Sequence, residues 1–352
     1  MRFRPAAPGD GDAWQRLLEA SVAGDFLHDW AWAAVAAFDG QPQRRFVLEE
    51  EGGTLSAIVA AQERRLGLGR SFWYVPHGPV LDYAAPAAAA RLRALLDGLR
   101  AAARSARAVA VRLEPRVEAG SAAAAVLGAA GLRRVPGFLQ LGYTRLVELV
   151  DDEPLLASFN QNTRYSIRRA EREGVEVSLV TDAEDAAAIG RLFELTEVTQ
   201  ARAGFPQRPR ERYELVWRAL AGVGRAALLE ARHGDRRLAS AMLVVEGDRS
   251  FYYLAGSQRE EPGEQKLFAT YALQWALMRH ARERGAHVHD LWGVAPPGAG
   301  PEHRWHGVGL FKRGFDGREV EWAGMWDLVV DPLAYRLREA LHPLVGLVRR
   351  RR

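Results

Sequence analysis

The sequence contains the aromatic segment Phe72-Trp73-Tyr74-Val75 and, 179 residues later, the similar segment Phe251-Tyr252-Tyr253-Leu254. Aromatic and β-branched residues favour extended structure, so both segments predict β-strands. In each half, helices and strands precede the aromatic strand, and a loop, a long helix and a further strand follow it. Val109 and His287, in those last strands, lie 178 residues apart. This nearly constant separation predicts that one α/β unit is duplicated.

The length of the chain agrees with two domains. It has 352 residues, of which 48% are apolar and 26% are charged, as in ordinary globular proteins. We predict two α/β domains with mixed sheets side by side and a cleft between them as the binding site. The first comprises residues 1–150 and is completed by 318–352, and the second comprises 151–317. The acidic turn Val150-Asp151-Asp152-Glu153-Pro154 marks the boundary.

The basic residues are almost all arginine and hardly ever lysine. The chain has 46 arginines but only two lysines, Lys266 and Lys312. An ammonium is a compact charge whose pKa the environment can tune, whereas a guanidinium is a planar fork that stays charged. The two lysines are therefore candidates for positions where arginine cannot replace lysine. The alternative is that two lysines have remained by chance. The absence of cysteine excludes disulfide scaffolds and thiol catalysis.

Charge and targeting signals predict a cytoplasmic protein. The net charge of +4 mildly favours polyanionic partners, and the first residues lack the apolar stretch of a signal peptide. The last helix repeats leucines at helical spacing from Leu333 and ends in four arginines, 349–352. This pattern fits either a helix lying on the inner membrane surface or one packed on its own domain.

Several formal motifs do not indicate chemistry. Arg64-x-x-Gly67-x-Gly69 matches a coenzyme A pyrophosphate motif, but no helix follows it, so it predicts a hairpin turn. We see no catalytic triad, and the histidines do not predict a metal site. Asp82 and Asp290 are candidate proton acceptors, although each also fits a capping role.

The segment Gly309-Leu310-Phe311-Lys312-Arg313-Gly314-Phe315 carries the strongest chemical signal. Its glycines bracket a short predicted helix that presents an aromatic ring beside one of the two lysines. Taken alone, Phe311 fits core packing and Lys312 fits a solvated charge, and both also fit contact with a substrate.

This segment, with Asp290-Leu291-Trp292-Gly293-Val294 before it and residues 321–327 after it, resembles the Fem-type (FemABX) aminoacyltransferases that build peptidoglycan interpeptide bridges. Further matches follow in family order: Trp30-Ala31-Trp32, Tyr74-Val75-Pro76-His77-Gly78-Pro79-Val80, Tyr252-Tyr253-Leu254-Ala255-Gly256-Ser257 and Tyr271-Ala272-Leu273-Gln274-Trp275.

The resemblance implies two fused acetyltransferase-like (GNAT-like) domains, here without a long coiled-coil insertion. It implies transfer of an amino acid from aminoacyl-tRNA to the side-chain amine of the stem peptide of a lipid- or nucleotide-linked muramyl precursor. No cofactor or metal is implied. In the family, the aromatic–lysine pair contacts the tRNA end and stabilises the reacting ester, which maps to Phe311 and Lys312. Precursor contacts map to Trp32, Tyr74, His77, Arg208, Arg210, Tyr213, Tyr252 and Tyr253.

Two further sets of residues bear on anionic substrates. Lys266 lies at the start of a predicted helix over 264–284, where helix amides favour a phosphate. A basic helix face that tracks phosphates, or is simply solvated, is predicted from Arg164, Arg168, Arg169 and Arg172. Two rival functions stay open: a coenzyme A-dependent GNAT-type N-acyltransferase, and a non-catalytic protein that binds tRNA or an envelope precursor.

Overall fold

The computed structural model describes residues 1–180, 186–203, 208–258 and 264–349. The chain divides into two compact units: Met1–Gln140 with Trp322–Arg352, and Leu141–Glu321. Each unit is built around one mixed β-sheet.

The elements up to residue 140 are β1 (Arg2–Pro5), α1 (Gly11–Ala20), α2 (Ala33–Phe38), β2 (Gln43–Glu49), β3 (Leu55–Arg65), β4 (Ser71–His77), β5 (Val80–Leu81), α3 (Ala88–Ser105), β6 (Ala108–Pro115), α4 (Ala122–Gly128) and β7 (Arg133–Val135). The second unit contains β8 (Tyr143–Glu148), α5 (Asp152–Ser158), α6 (Gln161–Arg172), β9 (Val175–Val180), α7 (Ala186–Ala203), α8 (Arg210–Ala221), β10 (Ala226–His233), β11 (Arg236–Glu246), β12 (Arg249–Ser257), α9 (Ala269–Glu283), β13 (Val288–Gly293), α10 (His306–Arg313) and β14 (Arg318–Glu321). The chain then returns to the first unit with β15 (Met325–Val329) and α11 (Pro332–Arg349).

The two sheets share one strand plan. The first has the order β1-β2-β3-β4-β6-β15-β7, with β5 paired to β3, and the second has the order β9-β10-β11-β12-β13-β8-β14. In each, four antiparallel strands are followed by one parallel pair, β4 with β6 and β12 with β13. The predicted mixed-sheet α/β fold is confirmed, and the described residues contain no long coiled-coil insertion.

The units differ from the predicted domains at their boundary. We expected residues 143–148 in the first domain, but β8 pairs with β13 and β14 in the second sheet. In the first sheet the equivalent position beside β6 is filled by β15, from the far end of the chain. The boundary therefore falls after Gln140 instead of residue 150.

Each sheet is covered by a helix that follows its aromatic strand. In the first unit, α3 buries Leu92, Leu95 and Leu99 in the same core cluster as Trp73. In the second unit, α9 buries Leu273 and other apolar residues in the core that contains Phe315. Burial of one such leucine contributes about 1.5–3 kcal/mol, so these helices hold the strand ends in place.

Helix α9 begins later than the sequence predicted. We expected a helix over 264–284, but Ala269 is its first residue, and Phe268 before it adopts a left-handed backbone with φ of 54°. Phe268 packs edge-to-face on Tyr271, and this aromatic contact holds the chain turned away from helical geometry. Lys266 therefore lies in an exposed segment ahead of the helix, which corrects its predicted place in the first helical turn.

Candidate active site around Lys312

Lys312 is buried near the end of α10, with only 3% of its surface exposed. Its Nζ donates a hydrogen bond of 2.7 Å to the carbonyl oxygen of Gly293, at the end of β13. The alternative that Lys312 is a solvated surface charge is therefore wrong. A buried ammonium is costly unless it is hydrogen-bonded or paired, so its retention marks a functional-site candidate.

Two aromatic rings complete the surroundings of the ammonium. Nζ lies 5.5 Å from the ring centroid of Trp305 and 5.9 Å from that of Tyr252. Both distances fall within the range of cation–π attraction, which stabilises a charge from which water has been removed. The sequence predicted a binding role for Tyr252, and it did not single out Trp305.

The position of the Gly293 carbonyl depends on a turn at the end of β13. Trp292 adopts a left-handed backbone with φ of 63°, which is uncommon for a bulky residue. The Asp290 carboxylate oxygen Oδ1 accepts a 2.8 Å hydrogen bond from the Trp292 backbone N–H and another from the Thr144 hydroxyl. Asp290 is thus buried and holds the turn, which argues against the expectation that it is a proton acceptor.

The electrostatics of the site follow from burial. Removal from water lowers the pKa of Lys312 to about 7, while the negative charge of Asp290 opposes that shift. Burial, together with the charge of Lys312, lowers the pKa of His289 to about 3. The neutral His289 ring accepts from the Gln274 amide and lies 2.8 Å from the Ser250 hydroxyl. Lys312 is therefore the group in this cluster whose charge changes near neutral pH.

Phe311 lies on the other side of α10 in an aromatic cluster. Its ring centroid lies 5.1 Å from that of Tyr271 and 5.1 Å from that of Phe315, both in edge-to-face geometry. The side chain is partly exposed, so it combines core packing with an accessible ring. Core packing and contact with a substrate, the two interpretations of Phe311 from the sequence, are therefore both compatible with its position.

A cavity of about 570 Å³ opens where β12 leads towards α9. Its lining includes Lys266, Gln258, Thr270 and Tyr271. Tyr271 thus contacts both this cavity and Phe311, which links the exposed lysine to the aromatic cluster beside Lys312.

The remaining predicted precursor contacts are divided between the two units. In the first unit, three of them are buried and have internal partners. Trp32 packs on Phe26 at 5.3 Å, Tyr74 donates to Glu114 Oε2 at 2.5 Å, and His77 Nδ1 donates to Asp25 Oδ2 at 2.6 Å. Asp82 is exposed, and its carboxylate accepts from the Ala84 backbone N–H.

In the second unit, the predicted residues of α8 and β12 vary in exposure. Arg208 and Arg210 are exposed, and Arg210 pairs with Glu214 at 2.8 Å. Tyr213 is buried, and the hydroxyl of Tyr253 accepts from Arg212 at 3.2 Å. The roles of these residues in precursor binding stay predictions.

The predicted basic face lies on α6. Arg168 and Arg172 are exposed, whereas Arg164 donates to backbone carbonyls, including that of Ala157 at 3.1 Å. Arg169 pairs with Glu173 at 3.4 Å and donates to the Tyr165 hydroxyl. The face that remains available to phosphates is thus mainly that of Arg168 and Arg172.

Comparisons with known proteins first identify the fold. Residues 157–303 match the family described as acetyltransferase (GNAT) domain. The whole fold is similar to the crystal structure of FemX, with a TM-score of 0.84, 21% sequence identity, and coverage of 96% of this chain and 99% of that one. A C-terminal domain of a putative lysylphosphatidylglycerol synthetase from Agrobacterium fabrum is similar at a TM-score of 0.57, with 18% identity over 94% of this chain and 95% of that one. The chain therefore has a tandem GNAT-like fold.

Curated relatives are similar to this chain over nearly its whole length. Lipid II:glycine glycyltransferase from Staphylococcus aureus (strain MRSA252) is 23% identical over 93% of each chain, and the protein of strain USA300 matches equally. The chain is a homologue of these Fem-type transferases, and the resemblance noted in the sequence is confirmed.

Proposed function

We propose that this protein transfers an amino acid from aminoacyl-tRNA to the side-chain amine of the stem peptide of a muramyl precursor, either lipid-linked or nucleotide-linked. Support comes from its homology to lipid II:glycine glycyltransferases over 93% of each chain. The observation that carries the proposal is the buried Lys312 beside Gly293, Trp305 and Tyr252. We place the reaction in the cytoplasm, at the inner face of the membrane when the acceptor is lipid-linked.

The reaction suits a site of this kind. The acceptor amine nitrogen forms a bond to the ester carbonyl carbon, and the bond from that carbon to the tRNA ribose oxygen breaks. The proton lost by the amine is balanced by the proton gained by the ribose oxygen. Because the ester is already activated, the protein needs mainly to align the substrates and stabilise the oxyanion of the tetrahedral intermediate.

Lys312 has the properties that oxyanion stabilisation requires. An ammonium has three N–H donors, and the Gly293 carbonyl accepts one and fixes the direction of the others. One well-placed donor to an oxyanion contributes roughly 3–4 kcal/mol in a site from which water is excluded. Asp290 acts as a positioning residue, since it holds the turn that presents Gly293 and its charge favours the ammonium form.

The donor end of the substrate fits the cavity near α9. We propose that the terminal nucleotide of the tRNA enters this cavity, with Lys266 at a phosphate and Phe311 or Tyr271 against the base. Arg168 and Arg172 would contact phosphates further along the acceptor arm without reading sequence.

A direct transfer assay tests the proposal. The purified protein is incubated with tRNA charged with a labelled amino acid mixture and with either lipid II or UDP-linked muramyl pentapeptide. Mass spectrometry of the acceptor should show addition of an amino acid residue, and cells lacking the protein should show altered muropeptide bridges. Unchanged bridges together with no transfer to either acceptor would overturn the proposal, and tRNA binding under those conditions would indicate a binding protein.

A second candidate function is coenzyme A-dependent N-acylation. The match to an acetyltransferase domain and the cavity where β12 leads towards α9 favour it. Thermal stabilisation by acetyl-coenzyme A, with no response to charged tRNA, would support this alternative over aminoacyl transfer.

A further inference from the structure

Two leucines in the described part of helix α11 point away from the core of the first unit. Leu333 is 80% exposed and Leu337 is 62% exposed, whereas Tyr335 on the opposite side is 1% exposed and donates to Asp327. The helix thus packs on its own domain through Tyr335, while Leu333 and Leu337 stay mostly exposed. No helix within the described ranges combines the length and apolar character needed to cross a bilayer.

A third exposed leucine lies in a hairpin next to the start of this helix. Leu68 is 93% exposed at the tip of the β3–β4 hairpin, where the sequence predicted a turn. At the base of the turn, the Leu66 backbone N–H donates to the Arg70 carbonyl at 2.8 Å. Leu66 and Ala334 of α11 pack against the same buried cluster, and Arg70 pairs with Asp331 at 2.6 Å, so the hairpin and the helix start are joined.

The same place carries a cluster of arginines. A cavity of about 350 Å³ is lined by Arg70, Arg104 and Arg107, together with Asp331 and Pro332 at the start of α11. Arg70 is paired with Asp331, whereas Arg104 and Arg107 are exposed and pair with no carboxylate among the described residues. The cavity therefore has the size and charge to take a phosphate group.

We infer that this surface, formed by Leu68, Leu333, Leu337 and the arginine cavity, docks the first unit on an anionic membrane. Exposed leucines enter the boundary between headgroups and acyl chains, and arginines bind lipid phosphates. The biological reason rests on the proposed function, because a lipid-linked acceptor keeps the enzyme at the membrane. The sequence continues the leucine spacing with Leu341 and Leu344.

Charge favours a membrane over a second copy of the chain as the occupant. A two-fold contact between identical surfaces would bring two arginine-bearing surfaces of the same charge together, which is repulsive. An anionic bilayer instead attracts every one of these cations while it covers the leucines.

Vesicle sedimentation tests the inference without any substrate. The full chain should pellet with vesicles of phosphatidylglycerol and phosphatidylcholine, less so in high salt, and weakly with pure phosphatidylcholine. Leu333→Gln with Leu337→Gln should weaken binding by about a hundredfold or more, since each fully buried leucine adds a factor of roughly ten or more. Arg104→Gln with Arg107→Asn should weaken it by about tenfold at low salt.

Matched controls remove the same kinds of side chain outside the proposed docking surface. Leu179→Gln with Val223→Gln removes exposed apolar side chains elsewhere, and Arg93→Gln with Arg2→Gln removes two exposed charges from the same unit. Both controls should bind vesicles as the wild type does. Equal binding by the leucine variant and the wild type, or no binding by the wild type, would overturn the inference. Self-association that the leucine variant abolishes, measured by sedimentation velocity, would assign the surface to a second copy.

Transfer to a soluble nucleotide-linked acceptor distinguishes this inference from the proposed function. The leucine variant should keep wild-type transfer to that acceptor, because its substitutions lie in the other unit from Lys312. Vesicle binding with the expected pattern but no transfer to any acceptor would overturn the proposed function and leave the docking surface supported.

Discussion

The Nζ of Lys312 lies 2.7 Å from the carbonyl oxygen of Gly293, so a residue of α10 is held by the end of β13. This single hydrogen bond joins a buried ammonium to a turn that depends on Asp290. Because the nitrogen is fixed, its remaining donors point in set directions, which is what stabilisation of a developing charge requires.

Replacing Lys312 tests whether a compact ammonium is needed. Lys312→Arg keeps the positive charge but places a larger planar group in a buried site, so transfer should fall by about 10²–10³-fold. Single-turnover rates with charged tRNA measure the effect, and Arg93→Lys on the surface of α3 serves as the control. Wild-type rates in Lys312→Arg with an intact thermal transition would contradict the assignment.

Asp290→Asn should change the pH dependence of transfer. The charge of Asp290 raises the pKa of Lys312 against the dominant effect of burial, which lowers it to about 7. Removing that charge lowers the pKa further, so the ammonium is lost at lower pH and the alkaline decline of the rate begins earlier. The ratio of variant to wild-type rates, measured from pH 5.5 to 8.5, should therefore fall with rising pH. A constant ratio would indicate a purely structural role.

Burial of Lys312 should also influence stability with pH. Its pKa is depressed in the folded protein, so between about pH 7 and its ordinary value the unfolded chain binds more protons. The free energy of unfolding contributed by this residue should therefore rise with pH across that window. Urea unfolding of the wild type and of Lys312→Met at several pH values measures this contribution. If the free energies of unfolding of the two proteins change with pH in the same way, the prediction is wrong.

Tyr74→Phe separates a structural role from precursor binding. The Tyr74 hydroxyl donates to the buried Glu114, whose carboxylate also accepts from the backbone N–H groups of Leu139 and Gln140. Loss of this hydrogen bond should reduce the free energy of unfolding by about 1–3 kcal/mol. We expect the KM for the precursor to stay unchanged, and a selective rise in KM without loss of stability would instead support the predicted contact.

His28→Leu should reduce acid sensitivity. Burial lowers the pKa of His28 to about 3, and neither ring nitrogen has a hydrogen-bond partner among the described residues. Below about pH 6.5 the unfolded chain takes up a proton that the folded chain does not, so stability falls as pH falls towards 3. The wild type should lose stability more steeply than His28→Leu between pH 6.5 and 4 in urea unfolding, and equal slopes would refute this.

Much of the fold was predictable because its signals are local. The aromatic strands, the long helices α3 and α9 and the hairpin after β3 follow from residue periodicity and turn residues within short windows. The first residue of α9 could not be predicted, since contacts of Phe268 with other aromatic residues outweigh the helical preference of residues 264–268. The pairing of β8 with β13 and β14 was also missed, because strand partners are set by contacts between distant segments.

The sequence alone establishes the duplicated α/β plan, the rarity of lysine and the adjacency of Phe311 and Lys312. These features depend only on composition and on the order of residues along the chain. Tertiary structure decides that Lys312 is buried against Gly293, that Asp290 holds a turn, and that Leu333 and Leu337 of α11 face outward. Periodicity shows that a helix has an apolar side, but only packing shows what that side meets. The same holds for charge, since the pKa of a lysine depends on how much water its neighbours exclude.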